Sequence, residues 1–380
     1  MKFNKVKLKD ISCGEGSYGI GASAVEYSED LYKYLRITDI SENGTINENE
    51  LKSVDDSNAE QYLLKENDIC FARTGNSTGK TYFHDGKIKD LVYAGFLIKF
   101  SLDKTKVNPK YIKYYTMTNK YKNWVRGIQT GSTRGNINAK MYGDLEIEIP
   151  KRLYQDKIVI LLDNITKKIE INNHTNNNLL QLGDLIYNNF FNDSKKEWSV
   201  KTLKEISNNF DSKRKPMSSR EREEHKGTYP YYGATSIIDY VDNYLFDDTY
   251  ILMGEDGTVI TDDNKPVLQY IWGKFWANNH AHVLQGSIVS NEYLYFALRN
   301  TDVKSLVTGA VQPKINQENM NKLKFIIPDQ DNLKILENSL SILMKKYKEN
   351  CCKISTLEQI RYTLLPKLMN GEIDLDKVEI

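Results

Sequence analysis

Residues Thr130–Pro150 (TGSTRGNINAKMYGDLEIEIP) and Thr308–Pro328 (TGAVQPKINQENMNKLKFIIP) carry one pattern, 178 residues apart from Thr130/Thr308 to Pro150/Pro328. Shared positions are the Thr-Gly start, Ile137/Ile315, Asn138/Asn316, Met141/Met320 within one place, Leu145/Leu323 and the closing Pro. Beyond each Pro the match continues with an offset of 175: Gln155-Asp156 with Gln330-Asp331, Leu182 with Leu357, Tyr187 with Tyr362. KDIS at Lys9–Ser12 matches KEIS at Lys204–Ser207. A chain repeated this way folds as two copies of one module. The copies agree at their edges and diverge in the middle, as suits one job done on two targets.

The segments after each Pro have a helical seam. Leu336, Leu340, Leu343, Tyr347, Ile354, Leu357 and Leu364 fall at three- and four-residue steps, with Asn350 on the same line. Ile158, Leu161, Ile165, Leu179, Leu182 and Ile186 do likewise in the first copy, with Lys168, Asn172 and Thr175 between. That period predicts coiled-coil helices of ~35 residues, each roughly 50 Å long. A long helix with a polar mid-seam is poorly stable alone. The two therefore pair, and modules at opposite ends require an antiparallel pair. The expected fold class is α+β: two mixed α/β domains separated by two long antiparallel helices, with a pseudo-twofold internal repeat. Expected boundaries are 1–153, 154–192, 193–328 and 329–380. Strands are expected at Tyr34–Ile40, Asp68–Arg73, Tyr93–Phe100, Tyr229–Ile238, Thr249–Met253, Val267–Ile271 and His282–Leu284, and helices at Lys110–Asn119 and Asn291–Leu298.

Composition is that of a folded globular chain: 40% hydrophobic and 27% charged. No window is apolar enough to span a membrane, and MKFNKVKLKD lacks a signal core, so a cytoplasmic protein is expected. Cys13, Cys70, Cys351 and Cys352 form no CxxC and read as reduced thiols.

Net charge is +1, but its distribution is uneven. Lys104, Lys106, Lys110, Lys113, Lys120, Lys122, Arg126, Arg134 and Lys140 occur without an Asp or Glu between them, interleaved with Tyr and Trp. This is a candidate phosphate-facing stretch. Beside it lie Gln129, Thr130, Ser132, Thr133, Arg134 and Asn136; Thr308, Gln312, Lys314 and Asn316 occupy that place in the second copy. Arg and Lys can read guanine, and Asn and Gln adenine. Lys213, Arg214, Lys215, Ser218, Ser219 and Arg220 form a second candidate loop. Arg73, Asn76, Tyr232, Thr235 and Asn279 complete the candidate DNA contacts. A polar surface loop is the bland alternative for any one of these, and repetition in register favours the DNA reading.

Several motifs fail on spacing. Gly75-Asn-Ser-Thr-Gly79-Lys80-Thr81 has three residues between its glycines where a phosphate loop needs four, and reads as a tight turn. The glycine-rich Cys13–Gly21 lacks a dinucleotide-site context and reads as a flexible loop. No Asn-Pro-Pro-Tyr or Asp-Pro-Pro-Tyr run supports amino-methyl transfer, and no Glu-X-Lys follows Pro328-Asp329. His280 and His282 have no further His or Cys nearby, so no metal site is expected, and they are assigned structural hydrogen bonds.

With those residues in view, the chain resembles the specificity subunit of type I restriction–modification systems. The resemblance rests on TGSTRGNIN and TGAVQPKIN, YPYYGATSIIDYVDNYLFDD followed by ILMGEDGTV, GKFWANNHAHVL, and LLPKLMNGEIDL at Leu364–Leu375. It spans nearly the whole chain. It implies two target-recognition domains reading a split DNA site and a helix pair fixing the gap between the halves. It also implies docking of two methyltransferase subunits and recruitment of restriction/translocase subunits. No catalytic residue or cofactor is expected in this chain; S-adenosylmethionine, ATP and Mg would sit in the partners. Partner docking is assigned to Ile158, Leu161, Ile165, Leu179, Leu182, Ile186, Leu336, Leu340, Leu343, Ile354, Leu357 and Leu364. Two other readings compete: a metal-dependent nuclease using Glu255, Asp256 or Asp262, and a coiled-coil scaffold that binds no DNA.

Overall fold

A computed structural model of the chain describes residues 1–130, 135–192, 198–309 and 312–378. The chain forms two compact units: Met1–Glu170 with Ser355–Ile380, and Ile171–Ile354.

The first unit opens with the strand Phe3–Lys7, which pairs antiparallel with Glu146–Pro150, Phe3 opposite Pro150. The repeated end-motif thus returns the chain to its start. A four-stranded antiparallel sheet follows in the order Ser17–Tyr18, Leu97–Ser101, Asp68–Ala72, Thr81–Phe83. A second has the order Ala24–Val25, Lys52–Val54, Tyr32–Leu35, Leu91–Tyr93, its last pair parallel. Helices Pro109–Tyr115, Asn119–Thr130 and Ala139–Gly143 complete the globular part.

The second unit repeats this scheme. Ser199–Thr202 pairs with Lys324–Ile327. One four-stranded sheet is ordered Ser207–Asn209, Ala281–Gly286, Tyr250–Gly254, Leu268–Ile271. The other is ordered Ile237–Val241, Lys226–Tyr232, Lys274–Ala277, Phe246–Asp247 and again holds one parallel pair.

The shared motif is explained by packing. Ile137 and Ile315 are both fully buried. Asn138 and Asn316 each cap a short helix, accepting from the backbone N–H of Met141 (2.9 Å) and Asn319 (2.8 Å). The side-chain oxygen of Asn316 is therefore committed to a helix cap.

Several expected elements are shorter. Tyr229–Ile238 is two strands, because Gly233 donates to Ser236 C=O at 2.8 Å and turns the chain. Tyr93–Phe100 is likewise broken where Leu97 donates to Ala94 C=O at 2.8 Å. The expected Tyr34–Ile40 strand ends at Leu35, with a turn from Arg36 to Asp39. Lys110–Asn119 belongs to two helices separated at Thr116–Thr118. Cys13–Gly21 is not a flexible loop. Ser17–Tyr18 is an edge strand on Leu97–Ser101. A Cβ on Gly16 would lie 2.5 Å from the Phe100 ring, and one on Gly19 would lie 2.2 Å from Tyr93 O. Those glycines serve close packing.

The long helices are Arg152–Asn192 (41 residues) and Gln330–Met369 (40 residues). In the first unit Ile158, Val159 and Leu162 share a core with Leu365, Leu368 and Met369. In the second, Ile186 and Tyr187 join Leu336, Leu340 and Met344, while Asn176 Nδ2 donates to Cys351 Sγ at 3.3 Å. Each pairing matches later residues of one helix with earlier residues of the other, so the segments run antiparallel. The seam of the first helix keeps Ile158 and Ile186 of the expected line, while its other edge is shifted by one residue. Gln155, Leu162, Ile169, Asn176 and Gly183 are buried at seven-residue steps, and Leu182 is exposed. Among the assigned docking residues, Ile158, Leu336 and Leu340 lie inside the protein's own core, so they cannot meet a partner.

Candidate nucleic-acid interface

In each unit three segments meet at the end of the central strand. In the first, Arg73 N–H donates to Phe96 C=O (3.0 Å), and Arg73 C=O accepts from Ile137 N–H (2.9 Å). In the second, Glu255 N–H donates to His280 C=O (2.8 Å), and Glu255 C=O accepts from Ile315 N–H (3.0 Å). The same backbone joint is built twice, with Arg73 replaced by Glu255, Phe96 by His280 and Asn136 by Lys314.

The side chains at the joints differ in charge. Arg73 lies 4.9 Å over the Tyr18 ring and donates through Nε to Asn136 Oδ1 at 3.3 Å. Tyr18 OH in turn accepts from Ala139 N–H at 3.2 Å. Arg73 has no carboxylate partner among the described residues. Phe96 stands 59% exposed beside it, on a turn fixed by Gly95 N–H to Ile20 C=O at 2.7 Å. An exposed aromatic ring and an uncompensated guanidinium on rigid backbone suit base and phosphate contact.

At the second joint Glu255 accepts from Arg214 Nη1 (2.7 Å) and pairs with Lys314 Nζ (3.4 Å) and His282 Nδ1 (3.5 Å). His282 is fully buried, with Nδ1 2.6 Å from Asp211 Oδ2 and Nε2 2.8 Å from Ile315 C=O. Burial raises the Asp211 carboxyl, but His282 and the Val283 N–H outweigh it and hold it below the usual carboxylate range. Asp211, Glu255 and His282 place ligand atoms within 4.8 Å of one another, a spacing that could hold a metal ion. Arg214 and Lys314 already put two fixed positive charges on these carboxylates. The cluster is thus an ion-paired joint that ties together Asp211, Glu255 and the Ile315 segment. Of the two histidines, His282 has the structural role expected. His280 lies just before the strand, exposed, 3.6 Å from Asp256.

A cleft of about 260 Å³ opens in the first unit between the Gly75–Ser77 turn and the helix Asn119–Thr130, lined by Asn76, Lys80, Tyr121, Lys122 and Arg126 with Glu42. Gly75 and Gly79 take positive φ, and a Cβ at Gly79 would meet Val125 at 2.5 Å. Lys80 is paired with Glu42 at 2.9 Å. Lys122 and Arg126 are exposed, and Arg126 Nη1 donates to Asn123 Oδ1 at 3.3 Å. The cleft is therefore cationic on its helix side.

Other sequence candidates divide. Lys120 is paired with Glu148 (2.7 Å), Lys110 with Asp163 (2.5 Å) and Lys106 with Asp103 (3.7 Å), so the basic run is partly neutralised from outside itself. Arg214 is spent on Glu255, Ala281 C=O and Asp211 and has only 12% of its side chain exposed, which removes it from the DNA face. Ser218 caps the helix Ser219–Glu224 through Glu221 N–H. Tyr232 packs edge-on against Phe275, its hydroxyl pushed up to about 12 by burial. Arg220 forms an exposed pair with Glu224 at 3.0 Å. Lys213, Lys215, Thr235, Asn279, Thr308, Gln312 and Lys314 are exposed. Gln129 and Thr130 side chains, and Ser132, Thr133 and Arg134, lie outside the described residues. Sequence reasoning missed Tyr18 and Phe96; an aromatic close to a glycine in each segment, Gly16-Ser17-Tyr18-Gly19 and Gly95-Phe96, was the available signal.

Two copies of one frame with different side chains at the same joint define a bipartite recognition protein. The model of the type I restriction modification DNA specificity domain matches residues 2–181 and again 195–350, and the chain belongs to that family. A Haemophilus influenzae protein assigned as a type I restriction enzyme specificity subunit is 35% identical over 136 residues, covering 36% of this chain and 34% of that protein. Against that relative the chain thus aligns over about a third of the length. A type I restriction enzyme specificity subunit of Methanocaldococcus jannaschii is 22% identical over 315 residues, 73% of this chain and 72% of the relative. The crystal structure of the type I restriction–modification system S subunit from M. genitalium shares the fold, with a TM-score of 0.54 at 17% identity over 97% of this chain and 96% of that one.

Proposed function

We propose that each unit reads one half of a split DNA site and that the chain supplies specificity, not catalysis, to a type I restriction–modification complex. The observation that carries this is the backbone joint built twice with unrelated side chains: Arg73, Phe96 and Asn136 in one unit, Glu255, His280 and Lys314 in the other. A common frame with exchanged readers gives two independent short readouts, each mismatch costing ~1–3 kcal/mol. Lys122 and Arg126 face backbone phosphate in the first unit, and Lys213 and Lys215, on a different segment of the repeat, do so in the second. The partners are methyltransferase and restriction subunits, and these hold S-adenosylmethionine, ATP and Mg. Ile342 (70% exposed) and Tyr362 (81% exposed) leave apolar surface on the second long helix, outside its seam, for such a partner.

The test is DNA binding by the chain assembled with its methyltransferase, measured against salt. Lys122→Ala with Arg126→Ala should weaken cognate and non-cognate DNA alike and flatten the log–log salt slope by about 2. An unchanged slope would remove these residues from the interface. The nuclease reading is disfavoured because Glu255 is ion-paired to Arg214 and Lys314.

A further inference from the structure

We infer that Arg73 reads a guanine in the half-site of the first unit, and that the second unit reads no base in this way. The inference rests on the DNA-reading role proposed above and names the base class that one side chain recognises.

Three features of Arg73 fit it to a guanine edge. Its guanidinium carbon lies 4.9 Å over the Tyr18 ring, which restrains where the head group can sit. Only Nε is spent, on Asn136 Oδ1 at 3.3 Å, and no described residue accepts from the two terminal nitrogens. No carboxylate neutralises it among the described residues. A clamped guanidinium presenting a terminal donor pair matches the O6 and N7 acceptors of guanine in the major groove. Adenine offers N7 beside an amino donor and cannot accept both bonds. The backbone of Arg73 is held on both sides, by Phe96 C=O and Ile137 N–H, so the fork is positioned before DNA arrives and little is lost on binding. At the equivalent place the second unit has Glu255, already accepting from Arg214 and paired with Lys314. An arginine fork is absent there, so the two units read different bases from the same joint.

The experiment uses the full chain with its methyltransferase partner and a duplex carrying its recognised motif. Each guanine of the first unit's half-site is replaced in turn by 7-deazaguanine, which removes only the N7 acceptor. At one position wild-type affinity should fall at least about tenfold. Arg73→Ala should bind guanine and 7-deazaguanine equally at that position. Arg73→Lys keeps the charge and loses the fork, so it should retain the wild-type salt slope while relaxing discrimination there. In both variants the second half-site stays fully discriminated. A first half-site without guanine, or an Arg73→Ala variant that keeps the whole 7-deazaguanine penalty, would overturn the inference and leave the DNA-reading role standing. Equal wild-type affinity for the motif and a scrambled duplex would overturn both.

Discussion

Gly183 gives a prediction in which two opposing effects can be weighed. It lies within the helix Arg152–Asn192, where glycine costs up to about 1 kcal/mol relative to alanine. Gly183→Ala would therefore stabilise an isolated helix. In the second unit a Cβ at this position would lie 2.2 and 2.3 Å from Phe296 Cζ and Cε1. Carbon atoms prefer about 3.5–4.0 Å, so more than an ångström of movement is demanded. Phe296 is fully buried, and its helix Asn291–Arg299 is tied to Asp184 through Arg299 Nε at 2.9 Å. The ring has little room to retreat, and overpacking costs roughly 1–3 kcal/mol. Set against the propensity gain, this leaves a net loss of up to about 2 kcal/mol, toward its upper end because the contact demands more than an ångström of movement. For a unit of this size a loss of about 2 kcal/mol lowers Tm by roughly 4–8 °C. Calorimetry of the full chain reads it as a shift in the transition that Phe296→Ala also lowers. With Phe296→Ala in place, Gly183→Ala should become neutral or stabilising, a coupling of at least about 1 kcal/mol. A rise in Tm for Gly183→Ala alone would refute the close approach of helix and ring.

Two further predictions concern polar groups. Hydrogen bonds from Lys9 and Lys7 hold the Asp144 carboxyl at about 2, against an ordinary value of 3.8. A depressed carboxyl contributes stability that is full above its unfolded value and lost as pH falls through the folded one. The advantage of wild type over Asp144→Asn in thermal unfolding should therefore be constant near neutrality, shrink below about pH 4 and be nearly gone by about pH 2; an advantage undiminished at about pH 2 would exclude this pairing. Asn350 is 2% exposed and its Nδ2 has no hydrogen-bond partner among the described residues. Asn350→Leu should raise stability by about 1 kcal/mol in denaturant unfolding, because an unmet buried donor is costly; a loss would mean that the amide is satisfied.

Much of the frame was legible because the repeat preserves what packing needs. Ile137 and Ile315 fill the two cores, and Asn138 and Asn316 cap the two short helices. The helix seam was legible in period and on the Ile158/Ile186 edge but not on the other: Leu161 and Leu162 are both apolar, and only the fold shows that Leu162 is the buried one. Recognition residues were harder, since a local run displays charge but not its partner. Lys110 meets Asp163 and Lys120 meets Glu148, each from beyond the run that seemed free of acids. Arg73 and Asn136 are 63 residues apart in sequence, and the meeting of Arg73 with both Asn136 and Tyr18 depends on sheet order. The Glu255 joint was hidden for the same reason, since Asp211, Glu255 and His282 come from three separate segments: a short helix, the end of one strand and the inside of another.

The central claim is that two independent readers sit in one chain. Methylation mapping of genomic DNA from cells carrying this chain and its methyltransferase tests it most directly. One methylated motif split into two half-sites is predicted, and exchanging residues 1–150 for those of a relative with different specificity should change one half and leave the other intact. A continuous motif, or an exchange that alters both halves together, would contradict the account.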